Sequence, residues 1–376
     1  MTKQTKITTM ISTILILVIL NSTLVYLFFF SKDFSFLSSK MSESKYELNY
    51  NLISSDNEVY KKEYNFKKVI GWIAAFDYQN GKNSYYNNIN KFTEISPVYY
   101  DLNSDGTVSS RPVAGDSDLL NISKRNKVKV IPTIISFDEN GLQAMFADDA
   151  KFKVHQDFLL SQVDKYDYDG IDIDYESVNL TDKEPYFTMI QDLADKLHNR
   201  NKILSITVIA KDSDLPAKVL PETKQVQDWN RIGKYADEIR VMAYDYSAVD
   251  KPGPVSPIFW VENILKYSLD KTTSDKIILG QPLYAYAYGS SRYAYTYDEI
   301  DEIIKAQKLI PEFNKDSNEK ILKFTKGSEE RTMWYQDVET MLRRFYIIDK
   351  YNAGGIAFWR LGSEDERIYG MLKSQR

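Results

Sequence analysis

Residues 169–176 read Asp-Gly-Ile-Asp-Ile-Asp-Tyr-Glu, an alternation of acidic and apolar side chains. Side chains of a β-strand point alternately to its two faces, so Asp172, Asp174 and Glu176 share one face of a strand. Carboxylates are costly on a strand that is buried on both faces, because burial penalises their charge. Like charges this close also raise the pKa of at least one carboxyl, which keeps a general acid protonated near neutral pH. The stretch therefore predicts catalytic carboxylates, with Glu176 at the carboxyl end of the strand.

This strand is one of eight β-branched, apolar segments that alternate with segments of helical periodicity. The eight segments are 69–76, 95–102, 128–136, 170–176, 203–210, 239–244, 277–283 and 355–361. Such alternation is typical of parallel βα units, and eight units make a TIM (β/α)8 barrel, an α/β fold. Residues from about 290 to 326 are too many for one helix and predict a small inserted lid between the seventh and eighth strands. Glu176 then lies at the rim where barrel enzymes place catalysis.

A calcium-binding loop is the alternative interpretation of residues 169–176. With Gly170 at the sixth position of an EF-hand loop, Glu176 falls at the twelfth, but Lys165 takes the first. The alternating isoleucines also favour a strand over a loop. A second acidic stretch, residues 101–106, has Pro112 where the loop needs its final glutamate, so a turn is expected there. We expect no metal site.

The amino-acid composition limits which side chains can be catalytic. The chain of 376 residues has no cysteine and two histidines, His155 and His198, which we place on helix surfaces. Disulfide scaffolds, thiol nucleophiles and HExxH zinc sites are therefore excluded, which leaves carboxylates as the catalytic groups. The fractions of hydrophobic (43%) and charged (27%) residues are ordinary for a globular protein, and a net charge of −5 gives no sign of nucleic-acid binding. No cofactor is expected.

The N-terminal residues predict a membrane anchor. Lys3 and Lys6 precede an uncharged, largely apolar run from 7 to 30. As a helix this run would be roughly 36 Å long, enough to span a bilayer core. The positive-inside rule places the rest of the chain outside the cell, and no small-residue cleavage site follows. We expect a cytoplasmic tail and transmembrane helix in residues 1–30, a polar stalk in 31–65 and the barrel in 66–376; cleavage of the anchor would give a secreted protein.

Four motifs in chain order resemble glycoside hydrolase family 18. Asp169, Asp172, Asp174 and Glu176 match its fourth-strand signature D-x-x-D-x-D-x-E. Residues 242–245 (Met-Ala-Tyr-Asp), 280–284 (Gly-Gln-Pro-Leu-Tyr) and 355–359 (Gly-Ile-Ala-Phe-Trp) resemble its motifs on strands six, seven and eight. The resemblance covers the chain from about residue 67 and is closer to the bacterial cell-wall and spore-associated branch of peptidoglycan hydrolases, the N-acetylglucosaminidases.

The resemblance implies retaining hydrolysis of β-1,4 bonds in N-acetylated amino-sugar polymers. Because Asp174 and Glu176 rise from one strand, no opposed carboxylate is available as nucleophile, and the substrate's own acetamido oxygen takes that role. Glu176 is then the acid and base, Asp174 holds the acetamido N–H, Asp172 tunes Asp174, and Tyr244 donates to the acetamido oxygen. The predicted substrate-binding residues are Met242, Asp245, Tyr284, Tyr286 and Trp359.

Other residues and functions stay open at this stage. Trp72 and Phe76 are binding or packing residues, and Arg240 is either a counter-charge for the acids or a residue that snorkels to solvent. Residues 132–136 lack the glycines of the third-strand motif S-x-G-G of chitinases, which favours peptidoglycan over chitin. Hydrolysis of chitin oligosaccharides is the alternative, and a non-catalytic lectin is a second alternative. The expected partners are a glycan that contains N-acetylglucosamine and the membrane, and we expect a monomer.

Overall fold

The computed structural model describes residues 62–213, 222–248 and 250–375. The predicted anchor, residues 1–30, and nearly all of the predicted stalk, residues 31–65, lie outside the described residues. Within the described ranges, no helix is both long enough and apolar enough to cross a membrane.

Eight parallel strands close into a barrel. Their bounds are β1 Lys68–Ile73, β2 Glu94–Leu102, β3 Thr133–Ser136, β4 Gly170–Tyr175, β5 Ile203–Ile209, β6 Glu238–Met242, β7 Ile277–Pro282 and β8 Gly355–Trp359. Each strand pairs in parallel with the next, and β8 pairs with β1, which closes the ring. The predicted TIM barrel is confirmed.

Helices follow the strands around the barrel. Their bounds are α1 Tyr78–Asn87, α2 Ser117–Arg125, α3 Glu139–Phe146, α4 Asp149–Tyr166, α5 Lys183–His198, α6 Glu222–Val226, α7 Trp229–Tyr235, α8 Ile258–Lys271, α9 Tyr297–Gln307 and α10 Val338–Lys350. Aspartate side chains at the N-caps of several helices, such as Asp148 before α4, accept hydrogen bonds from first-turn amides. The apolar stripe of α5 faces the barrel, since Phe187, Ile190 and Leu193 are buried.

His155 is not on the helix surface where the sequence analysis placed it. It is 1% exposed in α4, and its Nε2 lies 2.5 Å from the hydroxyl of Tyr175. The prediction was wrong because it rested on the lysines near His155 in the sequence. The helical period puts His155 on the buried stripe of α4 with Leu159 and Val163. His198, in contrast, is on the surface of α5, where its Nε2 lies 2.9 Å from Asp237.

The segment between β7 and β8 forms an antiparallel sheet with one helix, α9, and continues into the barrel helix α10. Its five strands are Ala285–Tyr288, Arg292–Tyr295, Glu312–Asn314, Glu319–Lys326 and Glu329–Tyr335, and α9 lies between the second and third. The sheet has a small apolar core of its own around Ala287, Leu322 and Met333. The insertion is therefore wider than the stretch of about 290–326 that the sequence suggested, because its first and last strands pair inside the sheet.

The two acidic stretches considered as calcium-binding loops form a strand and a turn. Residues 170–175 form β4, and residues 103–107 form the turn between β2 and a short antiparallel strand, Val108–Ser110. In the described part of the chain, no group of three or more His, Cys, Asp or Glu residues is arranged to hold a metal ion.

Candidate active site

Asp172 is fully buried in the barrel interior and saturated with hydrogen-bond donors. Its carboxylate accepts from the hydroxyls of Ser205 at 2.7 Å, Thr133 at 2.9 Å and Thr207 at 3.0 Å, and from the indole Nε1 of Trp72 at 3.3 Å. These four donors come from three strands, one each from β1 and β3 and two from β5, so the closure of the barrel brings them together around Asp172. A buried carboxylate with this many donors is held in one position.

Arg240 supplies the positive charge that faces this carboxylate. Its side chain is fully buried on β6, and its Nη1 lies 3.6 Å from Oδ2 of Asp172. Its Nη2 lies 3.1 Å from Glu94 and 2.8 Å from Glu238, which line the same end of the barrel interior. Arg240 is therefore a counter-charge, and the snorkelling alternative is wrong because the guanidinium has no solvent exposure.

Asp174 lies one step further towards the rim of the barrel and has a different environment. Burial raises its pKa well above the ordinary value, and the charges of Glu176 and Asp172 raise it further. Its Oδ1 is buried and accepts no hydrogen bond from any described residue. Buried polar atoms are normally paired, so this oxygen is available to an N–H donor of a ligand.

Glu176 follows the end of β4 and lines a cavity of about 370 Å³. Burial, followed by the negative charge of Asp245, raises the pKa of its carboxyl to about 7. A large fraction of the Glu176 side chains is therefore protonated at neutral pH, as a general acid requires. The structure places this predicted acid where the sequence put it, at the carboxyl ends of the barrel strands.

The end of β6 contributes the next three predicted residues, since Met242, Tyr244 and Asp245 line the same cavity as Glu176. Burial and the nearby charges of Asp174 and Glu176 raise the pKa of the Tyr244 hydroxyl, which keeps it a hydrogen-bond donor. Asp245 has a left-handed backbone, with φ of 59°, and is exposed at the rim. These residues bring a hydroxyl donor and a second carboxylate to the acid.

Tyr284 and Tyr286 join the site through Asp245. The hydroxyl of Tyr284 donates to one oxygen of Asp245, and that of Tyr286 donates to the other at 3.3 Å. The two tyrosine rings meet edge to face with centroids 5.0 Å apart, and Tyr284 also meets Tyr244 at 6.2 Å. Both predicted tyrosines therefore form an aromatic wall beside the cavity, held in place by a carboxylate.

Trp359 ends β8 and is half-buried. Its indole meets that of Trp72 edge to face with centroids 6.3 Å apart. Trp72 itself is 2% exposed and donates to Asp172, so it supports the site from below and is not a surface for sugar stacking. Phe76 is 76% exposed after β1, with the guanidinium of Arg360 4.8 Å from its ring centre.

Six residues that line the cavity were not predicted as site residues from the sequence: Ile209, Ala210, Asp212, Lys224, Tyr246 and Trp260. Tyr246 follows the β6 motif directly and Asp212 follows β5, so position after a strand end is a signal that could have found them. Lys224 and Trp260 lie on helices α6 and α8 and carry no local signal. Only the folded chain brings them to the cavity.

Comparisons with known proteins agree with this geometry. The family model "Glycosyl hydrolases family 18" matches residues 68–365. The uncharacterized glycosylase YvbX of Bacillus subtilis (strain 168) is 27% identical over 312 residues, which cover 79% of this chain and 89% of that protein. Two further relatives from the same organism match over 47% and 52% of their own length, so this chain spans about half of each.

Solved structures share the fold. The spore cortex-lytic enzyme SleL of Bacillus megaterium QM B1551 superposes with a TM-score of 0.74 at 19% identity, covering 83% of this chain and 75% of that one. A chitinase from Chromobacterium violaceum ATCC 12472 gives a TM-score of 0.74 at 18% identity, covering 82% and 99%. The family match spans the whole barrel with the acids of β4 and the rim residues of β6, β7 and β8. The chain belongs to glycosyl hydrolases family 18.

Proposed function

We propose that this protein hydrolyses β-1,4 bonds in peptidoglycan, with retention of configuration and with the substrate's acetamido group as nucleophile. The observation that carries the proposal is the pair on β4: a protonatable Glu176 on the cavity and, beside it, Asp174 with a buried oxygen that lacks a donor among the described residues. Two carboxyls on one strand reach a sugar from the same side, whereas a carboxylate nucleophile would have to lie opposite the acid.

The reaction begins when the Glu176 carboxyl donates its proton to the leaving glycosidic oxygen. The acetamido carbonyl oxygen of the substrate attacks the anomeric carbon, and the bond to the leaving oxygen breaks. An oxazolinium intermediate results, and it is stabilised because Oδ1 of Asp174 accepts a hydrogen bond from the acetamido N–H. Tyr244 donates its hydroxyl to the acetamido oxygen and orients it for attack. Water then attacks the anomeric carbon while the Glu176 carboxylate takes its proton, which restores the enzyme.

The remaining predicted residues bind the sugar. Trp359 offers an apolar surface for the ring at the cleavage site, since its inner edge is fixed against Trp72. Asp245, oriented by Tyr284 and Tyr286, accepts hydrogen bonds from sugar hydroxyls at the rim. Asp172, held by its four donors and Arg240, acts on Asp174 through its negative charge.

The experiment is the release of new reducing ends from purified peptidoglycan, and separately from chitin oligosaccharides, by the full chain. We expect the wild type to cleave peptidoglycan and Glu176→Gln to lose nearly all turnover while it keeps glycan binding. Glu184→Gln, an exposed carboxylate on α5 that pairs with Arg231, is the matched control and should keep full activity. Equal activity of the Glu176→Gln and wild-type proteins would refute the role of Glu176.

Two alternatives give different results in the same assay. One observation supports chitin as the alternative substrate, namely the structural match to a chitinase. The acid Glu176, the acceptor Asp174 and the donor Tyr244 would serve any N-acetylated sugar. Cleavage of chitin oligosaccharides alone would establish that substrate. Binding of either glycan without cleavage by the wild type would establish a lectin.

We further propose that the protein is a monomer, anchored in the cell membrane by one helix with the barrel outside the cell. The support is the sequence of residues 1–30, with its two lysines before a long apolar run. Carbonate extraction of cell membranes, followed by protease treatment of intact cells, tests the anchor and its orientation. Release of the full-length chain by carbonate would contradict the anchor.

A further inference from the structure

Lys224 is the one cationic side chain among the described residues that line the catalytic cavity. Glu176, Asp212 and Asp245 line the same cavity, so its charged groups are mostly acidic. The Lys224 side chain is half-buried, and burial lowers the pKa of its ammonium group. It makes no hydrogen bond or ion pair with any residue in the described ranges. Asp212 acts on it through its charge without forming an ion pair.

The helix that carries Lys224 is held against the loop that follows Glu176. In α6, the side chain of Glu222 accepts from the amide of Leu180 at 3.0 Å, and the hydroxyl of Thr223 donates to the carbonyl of Val178 at 3.3 Å. The amide of Leu180 and the carbonyl of Val178 both belong to the loop that follows Glu176. The position of Lys224 relative to the acid is therefore fixed by contacts on its own short helix.

Gln227, which follows α6, fixes the same segment to two barrel strands. Its Nε2 donates to the carbonyl of Tyr175 on β4 at 3.2 Å, and its Oε1 accepts from the amide of Ile209 on β5 at 2.9 Å. Because the backbone of this segment is fixed, only the side chain of Lys224 has to be ordered when it binds an anion. A half-buried lysine that lines the cavity without an ion-pair partner fits an anionic group on the ligand.

The chemistry of the proposed substrate supplies such a group near the acid. Glu176 protonates the oxygen on C4 of the sugar that leaves, and in peptidoglycan alternate sugars carry a 3-O-lactyl ether on the adjacent carbon. When that acidic sugar is on the leaving side, its carboxyl group, or the carboxylates of a peptide attached to it, lies next to the scissile bond. Chitin has no such group. An acidic cavity would repel the lactyl carboxylate unless a cation offset the charge.

We propose that Lys224 binds the acidic 3-O-lactyl substituent of the leaving sugar and so selects peptidoglycan glycan over chitin. The proposal rests on the proposed function, because it assigns the leaving side of the same cavity. Lys224 is a specificity residue here and takes no part in the bond-breaking steps. Its contribution is present only with a carboxylate-bearing substrate.

The first test measures binding in a protein that cannot turn over. In the full-length Glu176→Gln protein, Lys224→Met is compared with Lys224→Arg and with Lys67→Met, which removes an exposed charge at the start of β1. The probes are peptidoglycan glycan strands freed of peptides by an amidase, the same strands with their lactyl carboxylates converted to methylamides, and chitin tetrasaccharide. We expect Lys224→Met to weaken binding of the anionic strands about tenfold, as for a hydrogen bond to a charged group. Binding of the two neutral probes should change by less than about twofold.

The two variants of Lys224 and the control separate charge recognition from a structural role. Lys224→Arg should retain most of the affinity for the anionic strands, and Lys67→Met should bind all probes as the parent does. An equal loss on anionic and neutral probes, unchanged binding of the anionic strands, or no binding of any probe by the Glu176→Gln parent would each overturn the proposal.

The second test repeats the comparison with Glu176 intact and measures kcat and KM. We expect Lys224→Met to raise KM for the anionic strands with little change in kcat, since the contact is made before and during the reaction alike. If the wild type cleaves none of the probes, the proposed function fails while the binding comparison still decides the role of Lys224.

Discussion

At the scale of single residues, the three acids of β4 differ in what surrounds them. Asp172 is paired with hydroxyls and an arginine, Asp174 keeps a buried oxygen without a donor in the described chain, and Glu176 faces the cavity. Neighbouring carboxyls in different environments acquire different tasks. One strand thus provides a fixed charge, an acceptor and an acid.

The pKa of Glu176 predicts the alkaline limit of activity. A carboxyl whose pKa is raised to about 7 is protonated below that pH, so kcat/KM should fall as the pH rises through about 7. Asp245→Asn removes the charge that contributes to this shift, and the alkaline limb of the pH profile should move to lower pH. Asp212→Asn, on the same cavity, is the control, because Asp212 is not a cause of the shift. An alkaline limb that stays in place in Asp245→Asn would contradict this account.

At the scale of secondary-structure elements, β6 and β7 approach so closely that only glycine fits at position 280. A Cβ atom there would lie 2.7 Å from the carbonyl oxygen of Val241 and 3.3 Å from the ring of Tyr244. The glycine of the β7 motif therefore has a packing reason: it makes room for the tyrosine of the β6 motif.

Substitution of this glycine should disturb the site without removing a functional group. We expect Gly280→Ala to shift Tyr244 and to lower kcat by about tenfold or more, since misplacement of a catalytic group by about 1 Å can be that costly. Gly370→Ala, where an added Cβ meets nothing within 4 Å, should have wild-type kinetics. Steady-state kinetics of the two variants, with circular dichroism to verify folding, make the comparison. Full activity of Gly280→Ala would show that Tyr244 tolerates the shift.

The same strand β6 carries the buried cation of the barrel. Arg240→Met removes the counter-charge that Asp172, Glu94 and Glu238 share and leaves only Lys68 beside Glu238, and a broken buried ion pair costs about 3–5 kcal/mol of unfolding free energy. Urea unfolding measures this loss. Lys153→Met, which removes one member of an exposed pair with Asp157 on α4, should unfold at the same urea concentration as the wild type. Equal stability of Arg240→Met and wild type would mean that the carboxyls take up protons instead.

At the scale of the whole molecule, one buried carboxylate joins the insertion to the barrel. Glu319, at the start of the fourth insertion strand, accepts from the amides of Val255 at 2.9 Å and Ser256 at 2.6 Å, in the segment that follows β6. Gln336 donates to it at 2.6 Å, and Arg344 of α10 lies 3.5 Å away. Burial nevertheless raises the pKa of Glu319 to about 7.

Buried carboxyls with raised pKa values predict how stability depends on pH. Glu176 and Glu319, both with a pKa of about 7, hold protons more tightly in the folded than in the unfolded chain. Their stabilisation is complete below about pH 4.5 and is lost as the pH rises towards 7. Burial lowers the pKa of His155 to about 3, so the contribution of His155 to the free energy of unfolding rises with pH. This single histidine opposes the several buried carboxyls whose pKa values are raised.

We therefore expect the free energy of unfolding, measured in urea, to fall between pH 5 and pH 7. Glu176→Gln should flatten this slope, because it removes one of the protons released as the pH rises. Asp164→Asn, at an exposed carboxylate on α4, should leave the slope unchanged. A free energy that stays constant or rises over this range would contradict the assignment.

The sequence by itself determined the barrel and the acids. The eight β-branched, apolar segments, the helical periods between them and the spacing of acids in residues 169–176 are local properties, so they are visible along the chain. The rim position of Glu176 followed from the same alternation, and Tyr244, Asp245 and Trp359 were predicted from the resemblance of their motifs to glycoside hydrolase family 18. No local sequence pattern predicted the burial of His155, the width of the insertion, the partners of Arg240 or the presence of Lys224 in the cavity. Each depends on contacts between residues far apart in sequence, and only the closed barrel, by bringing strand ends and the helices beyond them together, decides which side chains meet.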